Sequence, residues 1–309
     1  MTVVGQILPG GSGVLTLGVL LALLAAVAAA SQSLSIRYGT VESDTADALV
    51  VVIGINAVVL VPAAFLLGDP IADLNLRSVA AFTAAGLVGT LIGRAVYFEG
   101  IKRVGSSRAE PIKASQPLHA TLIAVLVLGE VVTPGHMLAM VAIVAGIAII
   151  TYEHGRSSNG AGDASYVGVA FPFVAALFFG VEPTFAKLGF AEGAAVLTGL
   201  TVKTLTAGVG FVGYLWWKRG LPRPRDFDRR ELPWHVAAGV ANTVFMLGYY
   251  SALELERVSV VVPLVQSSPL LVILLSMLFV SDDLERITPR LVAGALVAVT
   301  GAIGVTLLS

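Results

Sequence analysis

The sequence predicts an all-α integral membrane protein of about ten transmembrane helices, arranged as two related halves. Three observations carry that expectation. Apolar residues make up 56% of the chain and charged residues only 13%, and the mean hydropathy of +0.89 exceeds what a water-facing domain tolerates. About ten apolar stretches approach the roughly 20 residues needed to cross a bilayer core. Inside those stretches the same punctuation occurs twice: Pro111 and Pro117 followed by Glu130, Thr133 and Pro134, then Pro263 and Pro269 followed by Glu285, Thr288 and Pro289. The prolines are six residues apart in both halves, the Glu-x-x-Thr-Pro spacing is identical, and Tyr97 and Tyr249 each precede their first proline by fourteen residues. The chain reads as a duplication, and joined repeats in a membrane chain point to a transporter whose halves form a site between them.

The segments run 14–36, 46–68, 78–98, 106–128 and 135–152 in the first half, and 166–189, 194–217, 234–253, 259–280 and 290–308 in the second. Runs rich in Ala, Leu and Val satisfy their own backbone in lipid as helices, whereas a barrel would show alternating strands of about ten residues. Residues 1–13 read as a flexible lead. The first basic side chain is Arg37, so the first segment is expected to be retained as a helix rather than cleaved as a signal peptide. The third segment carries Gly86, Gly89 and Gly93, a close-packing face. Glu130 and Glu285 close the fourth and ninth segments and are expected to cap the following Thr-Pro turns. A hydrophilic linker, 153–165, separates a first repeat at 14–152 from a second at 166–309. Trp216, Trp217 and Trp234 bracket the basic loop 218–233 and read as interfacial anchors. Gly294, Gly301 and Gly304 give the tenth helix a small-residue face, through which a homodimer is conceivable.

Bulk features mostly exclude. Without cysteine there is no disulfide, thiolate metal site or thiol catalysis. A formal charge of −1 offers no global attraction to nucleic acid. No cofactor or metal motif is present. Loops after odd-numbered helices carry Arg37, Lys102, Arg103, Arg108, Arg156, Lys218, Arg219, Arg223, Arg225, Arg229, Arg230, Arg286 and Arg290, against Arg77, Lys187 and Arg257 after even-numbered ones. By the positive-inside rule the odd loops face the cytoplasm and both termini face out.

Phe179-Gly180 followed by Lys187 in the sixth helix, Leu128-Gly129-Glu130 closing the fourth, and the two proline pairs together resemble the tandem EamA-type branch of the drug/metabolite transporter superfamily. The resemblance covers nearly the whole chain. It implies two inverted five-helix repeats, a central cavity lined by helices 1 to 4 and 6 to 9, peripheral fifth and tenth helices, and transport of a small metabolite, often outward. The chain departs from the family pattern at Ala29-Ala30 before Arg37, at Asn56, and at the inserted Ser281-Asp282-Asp283 before Glu285. The family is generally drawn with cytoplasmic termini; the charge count above, which uses this chain's own residues, puts them outside.

The chemistry lies in ionisable groups within apolar helices. A charge at membrane depth costs at least about 2.5 to 3.5 kcal/mol on insertion scales, so such groups should face the bundle interior, paired or wet. They are Arg94, Glu110, Lys113, Glu182, Lys203 and, nearer an end, Lys187. Counted from a turn near Arg103, Arg94 and Lys113 lie about nine residues away and Glu110 about six, which places all three roughly 10 to 15 Å deep. Gln116 continues the Glu110–Lys113 face. Counted from a turn near Ala191, Glu182 and Lys203 lie near the midplane and are placed to meet across adjacent helices. Pro183 directly follows Glu182 and can bend its helix beside the charge, as irregular backbone lining a cavity does in transporters.

These residues, with Tyr97 and Tyr249 for stacking, form the expected substrate site. Glu182 is the expected coupling group, taking a proton when Lys203 is engaged by an anion. Pro111, Pro117, Pro263 and Pro269 are the expected hinges. A structural reading stands beside this one: Glu110 with Arg94, and Glu182 with Lys203, as fixed ion pairs. Against it, the second-half mates of Arg94, Glu110 and Lys113 are Met246, Val262 and Val265, so the fold packs those positions without charge. The tyrosines also read as interface residues, and His119 as hydrogen-bonded packing. Three deep cations against two carboxylates favour a carboxylate or zwitterion over a cation. The expectation is a secondary transporter of a small amino-acid-like metabolite, working by alternating access, with efflux and proton coupling, in a cell membrane. The alternatives are a channel or receptor-like membrane protein and an intramembrane enzyme. A channel would favour a polar stripe in both halves, and no catalytic motif is present.

Overall fold

The computed structural model describes residues 16–39, 45–97, 113, 115–129, 131–157, 166–218, 228–279 and 288–307, and among these there is no β-strand. The helices are α1 (Leu17–Gly39), α2 (Thr45–Leu67), α3 (Leu76–Ala85), α4 (Gln116–Ile123), α5 (Pro134–Ser157), α6 (Tyr166–Ala191), α7 (Val196–Lys218), α8 (Leu232–Leu255), α9 (Val258–Val265), α10 (Ser268–Phe279) and α11 (Pro289–Leu307). α3 runs on as a π-helix over Gly86–Gly93, and α4 over Ala124–Leu128. Six helices among the described residues are long and apolar enough to cross a membrane: α1, α2, α3 with its continuation, α6, α7 and α8. Shorter apolar helical stretches lie at His119–Leu128, within α5 at Pro134–Gly146, and over α9 and the start of α10 at Val258–Val272. The sequence expects one helix over 259–280; it is instead broken at Gln266 and Ser267 into α9 and α10.

Side-chain size sorts the faces. α1 buries Ala22, Ala25, Ala26 and Ala30 and turns Leu17, Leu20, Leu24 and Val27 outward, the reverse of a water-soluble helix. Lipid tails are as apolar as leucine, so the interior is chosen for close approach rather than for hydrophobicity. A methyl on Gly248 of α8 would come within 3.0 Å of the Leu21 carbonyl, which shows how near α1 and α8 lie. The packing pairs helices across the two halves. α1 packs most extensively on α8, as α6 does on α3; α2 also packs on α8, as α7 does on α3; and α4 packs on α6, as α1 does on α9 and α10. Three further contacts pair corresponding helices with each other: α2 with α7, α4 with α9, and α5 with α11.

Caps and turns fix the ends. Asn75 and Ser78 form a reciprocal capping box at α3, and Asn75 also donates to the Glu192 carbonyl at 3.0 Å. The α6–α7 turn depends on Gly193 at φ +90°. Arg77 pairs with Glu192 at 3.5 Å and Thr198 donates to Asp73 at 3.1 Å, tying the α2–α3 loop to that turn. Gly129, at φ 69°, ends the π-helical run after α4 in the left-handed conformation. Thr133 itself caps α5, its hydroxyl accepting from the His136 N–H at 3.2 Å. Glu130 and Glu285, the expected caps, lie outside the described residues. Trp216 and Trp217 are exposed as expected of anchors, and Trp234 stacks on Tyr38 with ring centroids 4.8 Å apart. The small-residue face of α11 is filled from within the chain: methyls on Gly301 and Gly304 would meet Ala139 and Ile143 of α5.

Candidate functional site

Four helices deliver one ionic cluster. Lys203 of α7 donates to Oε1 of Glu182 on α6, and the Tyr250 hydroxyl of α8 donates to the same oxygen at 2.8 Å. The Lys203 ammonium also lies over the Tyr250 ring, 4.4 Å from its centroid. Arg94, just past the π-helical stretch of α3, lies within electrostatic reach of the Glu182 carboxylate, which attracts it, and of Lys203, which opposes it. Glu182 is 8% exposed and Lys203 only 3%. One cation is therefore bonded to the carboxylate, and a second acts on it through space.

The local backbone explains how they meet. α3 passes close to α6 and α7 because its facing side has no side chains. A methyl on Gly86 would come within 2.7 Å of the Lys203 carbonyl oxygen, on Gly89 within 1.8 Å of Glu182 Oε2, and on Gly93 within 2.9 Å of the Phe179 ring. The stripe is a close-packing face, and its partner is the charged site itself. Its backbone is π-helical, a form common at functional positions. Counted from the ends of α6 and α7 at Ala191 and Val196, Glu182 and Lys203 lie about 10 to 14 Å deep, shallower than a turn centred on Ala191 suggests. Residues 192–195 belong to the turn, which shortens the count for Lys203.

Beside this cluster, Lys113 lies over the Tyr97 ring at 4.7 Å, and Tyr97 meets Phe179 edge-on at 6.1 Å. Gln116 donates to the Phe179 carbonyl at 3.2 Å and accepts from Gln266 at 2.6 Å, joining the start of α4 to the break between α9 and α10. Pro117 is the second residue of α4, Pro269 the second of α10, and Pro263 lies inside α9. Pro117 and Pro269 thus begin new helices rather than interrupt old ones, where a missing N–H costs little. Glu110 and Pro111 lie outside the described residues. His119 packs as expected, with Nδ1 near the Ser115 carbonyl at 3.1 Å and its ring against Phe173.

The interfacial reading of the tyrosines is corrected. Tyr97, Tyr249 and Tyr250 are 7%, 5% and 0% exposed, and Tyr249 stacks on Phe245 at 5.4 Å. Their distance from a helix end suggested headgroup depth, but neighbouring side chains cover all three, and α8 runs on to Leu255 past Tyr249 and Tyr250. Arg94 has Glu182 as an electrostatic partner, a pairing not expected from the sequence. Tyr250 as hydrogen-bond donor and Gln266 as the partner of Gln116 were also unexpected; a polar side chain within an apolar run was the available signal for each. A groove of about 410 Å³ between α3 and α7, lined by Leu87, Leu205, Thr206, Val209 and Gly210, is apolar and open to the surface, unlike the ionic cluster.

The family model described as the EamA-like transporter family matches residues 16–152 and again residues 166–307. No curated protein matches the chain. One crystal structure is similar over 94% of this chain and 96% of its own, with a TM-score of 0.77 at 18% identity, a likeness of fold. With two copies of the family pattern spanning nearly its whole length, the chain is a multi-pass membrane transporter that belongs to the EamA-like transporter family.

Proposed function

We propose that the protein is a secondary carrier that moves a small anionic or zwitterionic, amino-acid-like metabolite outward by alternating access between two inverted five-helix repeats of ten membrane crossings. The observation that carries the reading is the buried ion pair of Lys203 with the single carboxylate of Glu182, with half-buried Arg94 as a second cation in electrostatic reach of it. The site holds one more positive than negative charge, and a substrate carboxylate that displaces Glu182 from Lys203 balances it. Lys113, Gln116, Tyr97 and Tyr249 supply the remaining contacts, and Glu110 is assigned to the same site from its sequence spacing to Lys113. Glu182, once displaced, takes a proton and couples its movement to the substrate. Support for inversion comes from the paired contacts across the halves. The paired breaks at Pro117 and Pro269, with Pro111 and Pro263, are the points at which α4 and α9–α10 flex. The outward direction rests on the family resemblance. The charge count puts both termini outside. A homodimer through α11 would use Val292, Leu296 and Val297, since its glycines already pack on α5.

A thermal-stabilisation screen of the purified protein tests the substrate class, because a ligand that binds the folded state raises the melting temperature. Small carboxylates and amino acids should stabilise it, and matched amines should not. The reverse order would overturn the anionic reading.

A further inference from the structure

A second polar layer, uncharged, lies nearer the middle of the bundle. Asn56 of α2 donates to Asn242 Oδ1 of α8 at 2.7 Å and accepts from the Thr243 hydroxyl at 2.9 Å. Asn242 in turn donates to Gln32 Oε1 of α1 at 3.0 Å. Asn56, Asn242 and Thr243 are buried, whereas Gln32 is half-buried. Asn56 lies about 16 Å from either end of α2, and Asn242 about 15 Å from the start of α8. Buried amides are tolerated in an apolar interior only when hydrogen-bonded, and these bond mainly to one another. Gln32 is the exception. Its oxygen is engaged, but its Nε2 donates to no group among the described residues, at a depth where lipid offers no acceptor.

The layer shares a helix face with the ionic cluster. Asn242, Met246 and Tyr250 recur every four residues along α8, and Asn56 also donates to the Met246 sulfur at 3.3 Å. Eight residues of helix separate Asn242 from Tyr250 by about 12 Å. Subtracting hydrogen-bond reach of about 3 Å at each end leaves about 6 Å, the span of a chain of about six carbons. We propose that Gln32, Asn56 and Asn242 form a second subsite, which recognises a neutral donor–acceptor group on the far end of a substrate whose carboxylate is held at Lys203 and Arg94. The assignment rests on the anionic reading above. A carboxamide presents the same donor and acceptor as an asparagine side chain and exchanges for it bond for bond. An alkyl end would leave those amides unpaired, which a site built for hydrogen bonding rejects.

The test compares adipamate, a six-carbon carboxylate ending in a carboxamide, with hexanoate, which ends in a methyl, on the purified full-length protein by thermal stabilisation over a concentration series. Wild type should prefer adipamate about tenfold or more. Gln32→Met and Asn242→Leu should each narrow that ratio to within about twofold; Gln32, on the half-buried rim, serves if the Asn242 variant does not fold. Equal affinity of wild type for the two acids, or a ratio that survives Gln32→Met, removes the amide subsite and leaves the anionic reading intact. Failure of either acid to bind wild type, with amines binding instead, removes the anionic reading and the subsite with it.

Discussion

Gly89 allows the ionic cluster to be tested without changing any charge. A methyl there would lie 1.8 Å from Glu182 Oε2 and 2.4 Å from its Cδ, so the carboxylate must retreat by about 1.6 Å to reach an ordinary contact of 3.4 Å. The carboxylate ends a flexible side chain, but Lys203 and Tyr250 both hold its other oxygen, and retreat sacrifices one of those bonds. A hydrogen bond to a charged group contributes about 1.5 to 3 kcal/mol, and Gly→Ala in a helix returns roughly 0.5 to 1 kcal/mol. Gly89→Ala should therefore lose about 1 to 2 kcal/mol net. The assay is thermal unfolding of the purified protein beside Gly54→Ala, where a new methyl meets nothing within 4 Å. Gly89→Ala should melt a few degrees lower and Gly54→Ala no lower than wild type. Adding Glu182→Asp, one methylene shorter, should recover at least half the loss and reveal the coupling between the two positions. A Gly89→Ala protein as stable as Gly54→Ala would refute the packing of α3 against Glu182.

Other outcomes follow from the same geometry. Tyr250→Phe keeps the ring beneath Lys203 but removes the donor to Glu182, so unfolding should show a loss of about 1.5 to 3 kcal/mol and transport should fall with it. Thr133→Ala removes the cap of α5 and should cost about 1 kcal/mol in the same unfolding assay, without changing ligand affinity. Replacing Pro117 and Pro269 together by alanine should slow exchange more than it weakens binding, and unchanged turnover would dismiss the hinges. In proteoliposomes with an imposed pH gradient and no solute gradient, wild type should accumulate substrate and Glu182→Gln should not, while still performing exchange; indifference of wild type to the gradient would exclude proton coupling.

Much of the fold was legible because the bilayer imposes one rule on every segment. A run of about 20 apolar residues has to close its own hydrogen bonds, so helix positions follow from hydropathy alone. The duplicated prolines gave the correspondence of the halves because proline is tolerated at few places in a helix, and Pro117 and Pro269 each stand second in theirs. Depth counting brought Glu182 to Lys203, because two helices joined by a short turn must keep equal depths in register. It could not bring Arg94 to Glu182, which depends on how α3 leans across α6 and not on any shared turn. Nor could it show that the ninth segment breaks at Gln266 and Ser267, because Pro263 alone is compatible with a bent helix as well as a broken one. Tyr249 has a repeat mate in Tyr97 and Tyr250 has none, so nothing in the sequence singles out Tyr250 as the donor to Glu182. The rotation of α8 that points Tyr250 at the carboxylate is set by packing on α1 and α2, which no local pattern encodes.

The central claim is that a carrier binds an anionic group at Lys203 and alternates its exposure across the membrane, and counterflow tests it most directly. Proteoliposomes are loaded with a stabilising carboxylate found by the thermal screen, and uptake of the same compound, labelled and dilute, is followed. Wild type should show transient labelled accumulation above equilibrium, a signature of exchange that a channel does not give. Lys203→Met should remain folded, because Arg94 still attracts Glu182, yet show no counterflow. Counterflow that persists in Lys203→Met, or a Lys203→Met protein that unfolds and is restored by Glu182→Gln, would contradict the account and leave the pair a structural one.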